Sequence, residues 1–279
     1  MRYDQILVAV DLTRDISRLL QRAGKLAQRL GARLHLLAVL PLDESHSALV
    51  GDPRLLRLKQ ESLEFINRQI VGMPCQLGEC RIESGPVAEQ ILRTMQELAC
   101  DLLIMGQHHE EALLLELRAP LVNSLLPRHR HDLLLLDSDR PFWGQPLKFQ
   151  LALELNEVGL GLLHRAEALS RRLGAELTVL HVLSDTLEEV EKPDAALLEG
   201  EHLRAEHQLA DWLARLPRAP RRWLVARGDV RELLHQALLS TQHHLLIVGA
   251  GKSEHPQLSM GSHLHALLQQ HGGDLLILH

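Results

Sequence analysis

The chain has 279 residues, 46% of them apolar but only 3% aromatic, and a formal charge of −6. That length accommodates two ordinary domains with sizeable aliphatic cores. The acidic balance gives no broad attraction to DNA, RNA or an anionic membrane, and few aromatic rings are available for stacking on bases. The opening run of "MRYDQILVAVD" is too short for a signal-peptide core, and no segment approaches the roughly 20 apolar residues of a membrane span. The three cysteines, Cys75, Cys80 and Cys100, form no Cys-x-x-Cys and argue against a disulfide framework. A soluble cytoplasmic protein with no nucleic-acid or membrane partner is expected.

In chain order, residues 5–10, "QILVAV", form a nearly continuous apolar run, as in a strand buried on both faces of a parallel sheet. Ile16, Leu19, Leu20, Ala23, Leu26, Ala27 and Leu30 then recur three and four apart and stop at Gly31. That spacing predicts an amphipathic helix with a glycine terminus. Residues 33–40 read as the second strand, and 52–71 as a helix with Pro53 near its first turn. Residues 76–84 read as the third and least buried strand, followed by a helix over 86–100. A fourth strand over 101–106, a helix over 121–128 and a fifth strand over 132–137 complete the unit.

A shift of 143 residues lays the chain on itself. Residues 19–40 fall on 162–183 without a gap, 84–89 on 227–232, and 101–106 on 244–249. Beyond that point the shift becomes 142, and "HDLLLLD" meets "GDLLILH". The chain is therefore a duplication, with domains at 1–138 and 147–279 joined by a linker over 139–146. Strands separated by helices imply right-handed crossovers and a parallel sheet covered on both sides. The expected class is α/β: two tandem five-stranded parallel sheets of order 3-2-1-4-5, related by a pseudo-twofold axis. The fifth strands, short, apolar and at a sheet edge, are expected to pair with each other within the chain.

In open sheets of this kind, ligands bind beyond the carboxyl ends of the strands where strand order reverses. Those ends carry Asp11 and Gly106 in the first half, and Glu154 and Gly249 in the second. The loop after Gly249 contains Gly251-Lys252-Ser253, but a nucleotide-hydrolase phosphate loop also needs a glycine where this chain has Leu246. What remains is Gly-x-Gly-x9-Gly-Ser, running from Gly249 to Ser262. Two readings stay open for it: a phosphate cradle, or a plain strand-to-helix connection with Ser262 as helix cap.

Together with "VAVD" in the first strand and "GARLHLLAV" leading into the second, this loop resembles that of the universal stress protein family, and the resemblance covers essentially the whole chain as a tandem pair. It implies an adenine-nucleotide alpha-hydrolase-like fold and a stress-response role, with ATP or AMP bound by many family members. Carried over, Gly249, Gly251, Gly261 and Ser262 would hold phosphates, with Lys252 and His263 beside them. Glu154 would face the nucleoside and Val182 the base. The first-half counterparts are Asp11, Val39 and Gly106. The family loop has two residues between its first glycines where this chain has one, and the strand-one acid is Glu rather than Asp.

The first half departs further. Gly261-Ser262 is matched by Ala119-Pro120, and proline has no N–H to give. Losing one hydrogen bond to a charged group costs about 1.5–3 kcal/mol. Glu110, Glu111 and Glu116 also stand against a single Arg118, so ATP is not expected there. The 18 histidines include close pairs such as His243-His244 and His263-x-His265, but no spacing defines a metal site. No catalytic constellation emerges. The leading reading is a stress-response protein binding ATP or AMP at the second domain only. The alternative is a nucleotide-free scaffold acting through protein contacts or a homodimer, with a weak ATPase third.

Overall fold

A computed structural model of the chain describes residues 2–40, 53–107, 121–122, 124–125, 131–137, 139–184, 195–250, 260–269 and 272–279. They form two compact units, Arg2–Phe142 and Trp143–His279, apart from Met1.

In the first unit, β1 (Gln5–Val10), α1 (Ser17–Leu30), β2 (Arg33–Leu40), α2 (Pro53–Gln69), β3 (Gln76–Ser84), α3 (Val87–Glu97), β4 (Leu102–Gln107) and β5 (Asp132–Asp137) follow in turn. The strands pair in parallel in the order β3-β2-β1-β4-β5. Residues 121, 122, 124 and 125 are helical, with Val122 and Leu125 in the core. The second unit runs β6 (Lys148–Ala152), α4 (Glu157–Leu173), β7 (Glu176–Ser184), α5 (Ala195–Ala214), β8 (Arg222–Gly228), α6 (Val230–Leu239), β9 (Leu245–Gly249), α7 (Met260–Gln269) and β10 (Asp274–Leu278). Its strands are also parallel, in the order β8-β7-β6-β9-β10. Each unit thus has the expected order 3-2-1-4-5.

The apolar runs explain the layering. Ile6, Leu7 and Val8 in β1, and Leu245 to Val248 in β9, are buried because helices cover both sheet faces. β3 lies at an edge, and its first four residues are exposed. α1 and α4 both end at a left-handed glycine, Gly31 at φ 62° and Gly174 at φ 68°. Among the described residues, no helix is long and apolar enough to cross a membrane.

Three polar devices recur in both units, with Asp132 and Asp274, Asp101 and His244, and Arg22 and Arg165 at matched positions. At the start of the fifth strand stands a buried carboxylate: Asp132 is 3% exposed and Asp274 2%. A buried carboxylate is costly unless hydrogen-bonded. Asp132 Oδ2 accepts from the Tyr3 hydroxyl at 2.6 Å, and Asp274 Oδ2 accepts from the Trp143 indole N–H. The entry to the first strand is tied down as well. Asp101 Oδ2 accepts from the Asp4 N–H at 2.8 Å, and His244 Nδ1, 143 residues on, accepts from the Lys148 N–H at 3.1 Å. Finally, Arg22 and Arg165 reach the carbonyls of Asp137 and His279 at the ends of their sheets. His243 and His244 are both half-buried at the entry to β9.

One irregularity is held by a side chain. Pairing of β2 with β3 shifts register between Leu34 and Leu36. There His35 Nδ1 accepts from the Glu79 N–H at 3.0 Å, so its proton sits on Nε2 and faces Gln5 Oε1 at 2.9 Å. Burial pushes the His35 pKa below its usual value.

Replacing Tyr3 by Phe removes the phenolic donor while keeping the ring. The substitution should lower stability by about 2 kcal/mol, since a charged acceptor loses a partner inside the core. Urea denaturation measures this, and an unchanged midpoint would show that the Tyr3–Asp132 bond contributes nothing.

Candidate functional site

Beyond the carboxyl end of β6 the chain turns sharply into α4. Asn156 caps that helix, its Oδ1 accepting from the Gly159 N–H at 2.8 Å. The Asn156 Nδ2 donates back to Glu154 Oε2 at 2.9 Å, holding that half-buried carboxylate at the strand end. A Cβ at Gly159 would lie 1.8 Å from the Glu154 carbonyl oxygen, so only glycine permits this approach.

Four further groups belong to the same end of the second unit. His181, buried in β7, donates through Nδ1 to the Leu153 carbonyl at 3.0 Å. Burial pulls its pKa down, while that hydrogen bond and the Glu154 charge partly offset the effect. Asp229 follows β8 and caps α6, accepting from the N–H groups of Arg231 at 2.7 Å and Glu232 at 3.1 Å. Those two bonds hold its carboxyl below the ordinary range. Arg231 stands exposed in the first turn of α6, and α6 packs against α7. On α7, half-buried His263 is pulled down by burial and by Arg231, against opposing pulls from Asp229 and Glu154. A common electrostatic neighbourhood thus joins Glu154, Asp229, Arg231 and His263.

Most residues expected from the sequence have a place. Gly251 and Lys252 lie outside the described residues, as do the first-half loop residues Glu110, Glu111, Glu116, Arg118, Ala119 and Pro120. Gly249 ends β9, paired with Leu278, and a Cβ there would meet Leu162 Cδ1 at 2.5 Å. Packing against α4 therefore accounts for that glycine by itself. The next N–H, of Ala250, is bonded to the Leu278 carbonyl at 2.8 Å. Gly261 and Ser262 lie in the first turn of α7, where backbone N–H groups lack intrahelical acceptors. Val182 is half-buried near the end of β7, opposite Ala226.

In the first unit, Val39 and Gly106 occupy the equivalent strand ends, both half-buried. Exposed Asp11 is engaged by its own turn: its Oδ1 accepts from the Thr13 N–H at 3.0 Å and the Thr13 hydroxyl at 2.7 Å, and Arg14 Nε lies 3.6 Å from its Oδ2. The two ends differ most at positions that no sequence motif marks. By the 143-residue shift, His181, Asp229 and Arg231 correspond to Ala38, Pro86 and Ala88, and by the 142-residue shift His263 corresponds to Leu121. The signal for these residues lay in the differences between the copies, whereas the glycine motif drew attention to their identities.

Among the described residues, no three His, Cys, Asp or Glu side chains are grouped to hold a metal. Burial raises all three cysteine thiols, Cys80 to about 11 and Cys100 to about 12, which keeps them protonated and unreactive near neutrality.

The model of the universal stress protein family matches residues 2–120 and 150–279 of this chain. Over 146 residues the chain is 27% identical to universal stress protein D of Escherichia coli O6:H1, covering 50% of this chain and 94% of that one. The crystal structure of a universal stress protein from Archaeoglobus fulgidus DSM 4304 matches with a TM-score of 0.66 at 13% identity, covering 99% of this chain and 96% of that one, a likeness of fold. A universal stress protein solved in complex with cAMP matches 50% of this chain and 100% of its own length, at 17% identity and a TM-score of 0.36.

Four histidines, His35, His181, His243 and His263, are held below the usual 6.5 mainly by burial. Each binds its proton less readily folded than unfolded, so the unfolded chain takes up more protons as pH falls. Their contribution to stability is complete above 6.5 and is lost as pH falls through the folded values. Urea midpoints should therefore drop between about pH 7.5 and 5.5; an equal or higher midpoint at the lower pH would contradict these shifts.

Proposed function

The chain belongs to the universal stress protein family, and on that premise we propose that it is a cytoplasmic stress-response protein whose second unit binds ATP or AMP while its first does not. The observation that carries this reading is the unequal chemistry of the two crevices. The second unit carries Glu154, His181, Asp229, Arg231 and His263 at its strand ends and helix entries, where the first has Asp11, Ala38, Pro86, Ala88 and Leu121. A nucleotide needs hydrogen-bonding and charged groups at its ribose and phosphates, and an apolar lining leaves those groups desolvated without compensation.

In this reading Glu154 accepts from ribose hydroxyls and Val182 packs against the base. The phosphates meet the free N–H groups of the first turn of α7 at Gly261 and Ser262, with Gly249, Gly251, Lys252 and His263 around them. In this reading the role is binding rather than turnover. Asp11, Val39 and Gly106 keep the family positions in the first unit, but the Asp11 carboxylate is already engaged by Thr13 and Arg14.

A second reading, a scaffold acting through protein contacts or a homodimer, is favoured by one feature. β8, which pairs with β7, presents Trp223 at 39% exposure and Leu224 at 55% on an edge strand. Exposed apolar side chains on an edge strand suit association with another chain. β8 lies at the far edge of its sheet from β9 and β10.

Thermal denaturation with added nucleotide separates them. AMP or ATP at 100 times its dissociation constant should add about 2.7 kcal/mol of stability. Glu154→Ala should abolish that increment, and Asp11→Ala should keep it relative to its own baseline. No increment with either nucleotide would leave the scaffold reading alone.

A further inference from the structure

The docking of β3 on the first unit's sheet turns on one ring. His35, 5% exposed, stands at the register shift between Leu34 and Leu36, where two residues of β3, Gly78 and Glu79, lie opposite a single residue of β2. The ring covers Gly78 so closely that a Cβ there would stand 2.5 Å from its Nδ1 and Cε1. Both ring nitrogens are in use: Nδ1 accepts from the Glu79 N–H at 3.0 Å, and Nε2 donates to Gln5 Oε1 on β1 at 2.9 Å. One side chain thus ties β3 to β2 and β1. The second copy lacks the device. It has Thr178 and Arg221 in place of His35 and Gly78, and β7 pairs with β8 from Thr178 to Ser184 without a shift.

We propose that His35 is an acid-operated latch: a proton added at its Nδ1 frees residues 76–79 of β3 from the sheet. The proposal is independent of the nucleotide reading, which concerns the second unit. The physical reason is a count of donors. A neutral imidazole has one acceptor and one donor, and this position uses both; an imidazolium has two donors and no acceptor. A proton from solvent on Nδ1 therefore sets N–H against N–H at Glu79 and leaves that amide unpaired. Turning the ring restores nothing, because either nitrogen is then a donor. Little else holds the strand at this point. Gln76 to Glu79 are exposed, and among the described residues β3 pairs with β2 alone. The charged neighbours are Arg33, two residues back on β2, and on β3 Glu79 and Arg81, the latter paired with Glu79 and with Glu97 of α3; on β1 the ring faces the neutral Gln5 amide. Burial disfavours the imidazolium while β3 is docked; Glu79 favours it, and Arg33 and Arg81 oppose it. On release the ring meets water and takes up its proton freely, so falling pH favours the open strand.

Hydrogen–deuterium exchange of the full chain, with the intrinsic rate at each pH divided out, reads the latch. A released ring that titrates at about 6.5 can raise the opening of residues 76–79 by at most about tenfold between pH 7.5 and 5.5. Protection there should fall about three- to tenfold over that range. In His35→Gln the amide oxygen accepts from the Glu79 N–H at either pH, so the fall should vanish. Nitrogen-15 NMR of the wild-type ring at pH 7.5 should show Nδ1 bare and the proton on Nε2. Unchanged protection of residues 76–79 in the wild-type chain would overturn the proposal. So would an equal fall in His35→Gln, or a proton on Nδ1 at pH 7.5.

Discussion

Central strands covered on both faces can carry almost no charge along their length, and the geometry of both units follows from that constraint. β1, β4 and β9 are mostly apolar, as are the fifth strands β5 and β10. Polar side chains consequently concentrate where the strands begin and where they end. At the beginnings they are structural: Asp132 and Asp274 meet aromatic donors, and Asp101 and His244 receive strand N–H groups. At the carboxyl ends the helix-entry turns leave room for chemistry. A parallel sheet has one such end, so both copies inherit the same crevice, whatever lines it.

Duplication has kept the frame and released the lining. The frame tolerates unlike residues that meet one physical need, with phenol or indole against the buried carboxylate and carboxylate or imidazole against the strand N–H. The lining has diverged in kind. Exchanging Ala38, Pro86, Ala88 and Leu121 for His181, Asp229, Arg231 and His263 turns an apolar margin into one carrying both signs of charge. Nothing in the sheet requires that change, since Leu34 to Ala38 and Leu177 to Leu180 serve the core equally well. The polar margin of the second copy is thus an addition to the fold, and the proposed ligand site is built on it.

Much of this frame was legible in the sequence. β1, β2, β3 and β5 occupy the residues that alternation and apolar runs indicated, and α1 stops at Gly31 as its spacing required. The strand order followed from the α/β alternation and the family resemblance. The site was less legible, for two physical reasons. A glycine motif signals backbone freedom without its cause, and at Gly249 the cause visible in the structure is the close approach of Leu162. Side chains that converge from β7, α6 and α7 are separated by dozens of residues, and no local spacing announces them. Asp229 and Arg231 stand at the entry to α6, and that helix packs on α7, which carries His263. His35 was hidden similarly, because its role as an acceptor arises from a register shift between strands.

The central claim is that the two copies share a frame but only the second offers a crevice fit for a nucleotide. Photoaffinity labelling of the full chain with an azido-adenine nucleotide, followed by mass-spectrometric mapping, tests it most directly. The predicted result is adducts confined to the second unit, on peptides reaching the end of β7 around Val182, and competed away by excess AMP. Competed adducts on peptides of Arg2–Phe142, around Val39, would contradict it.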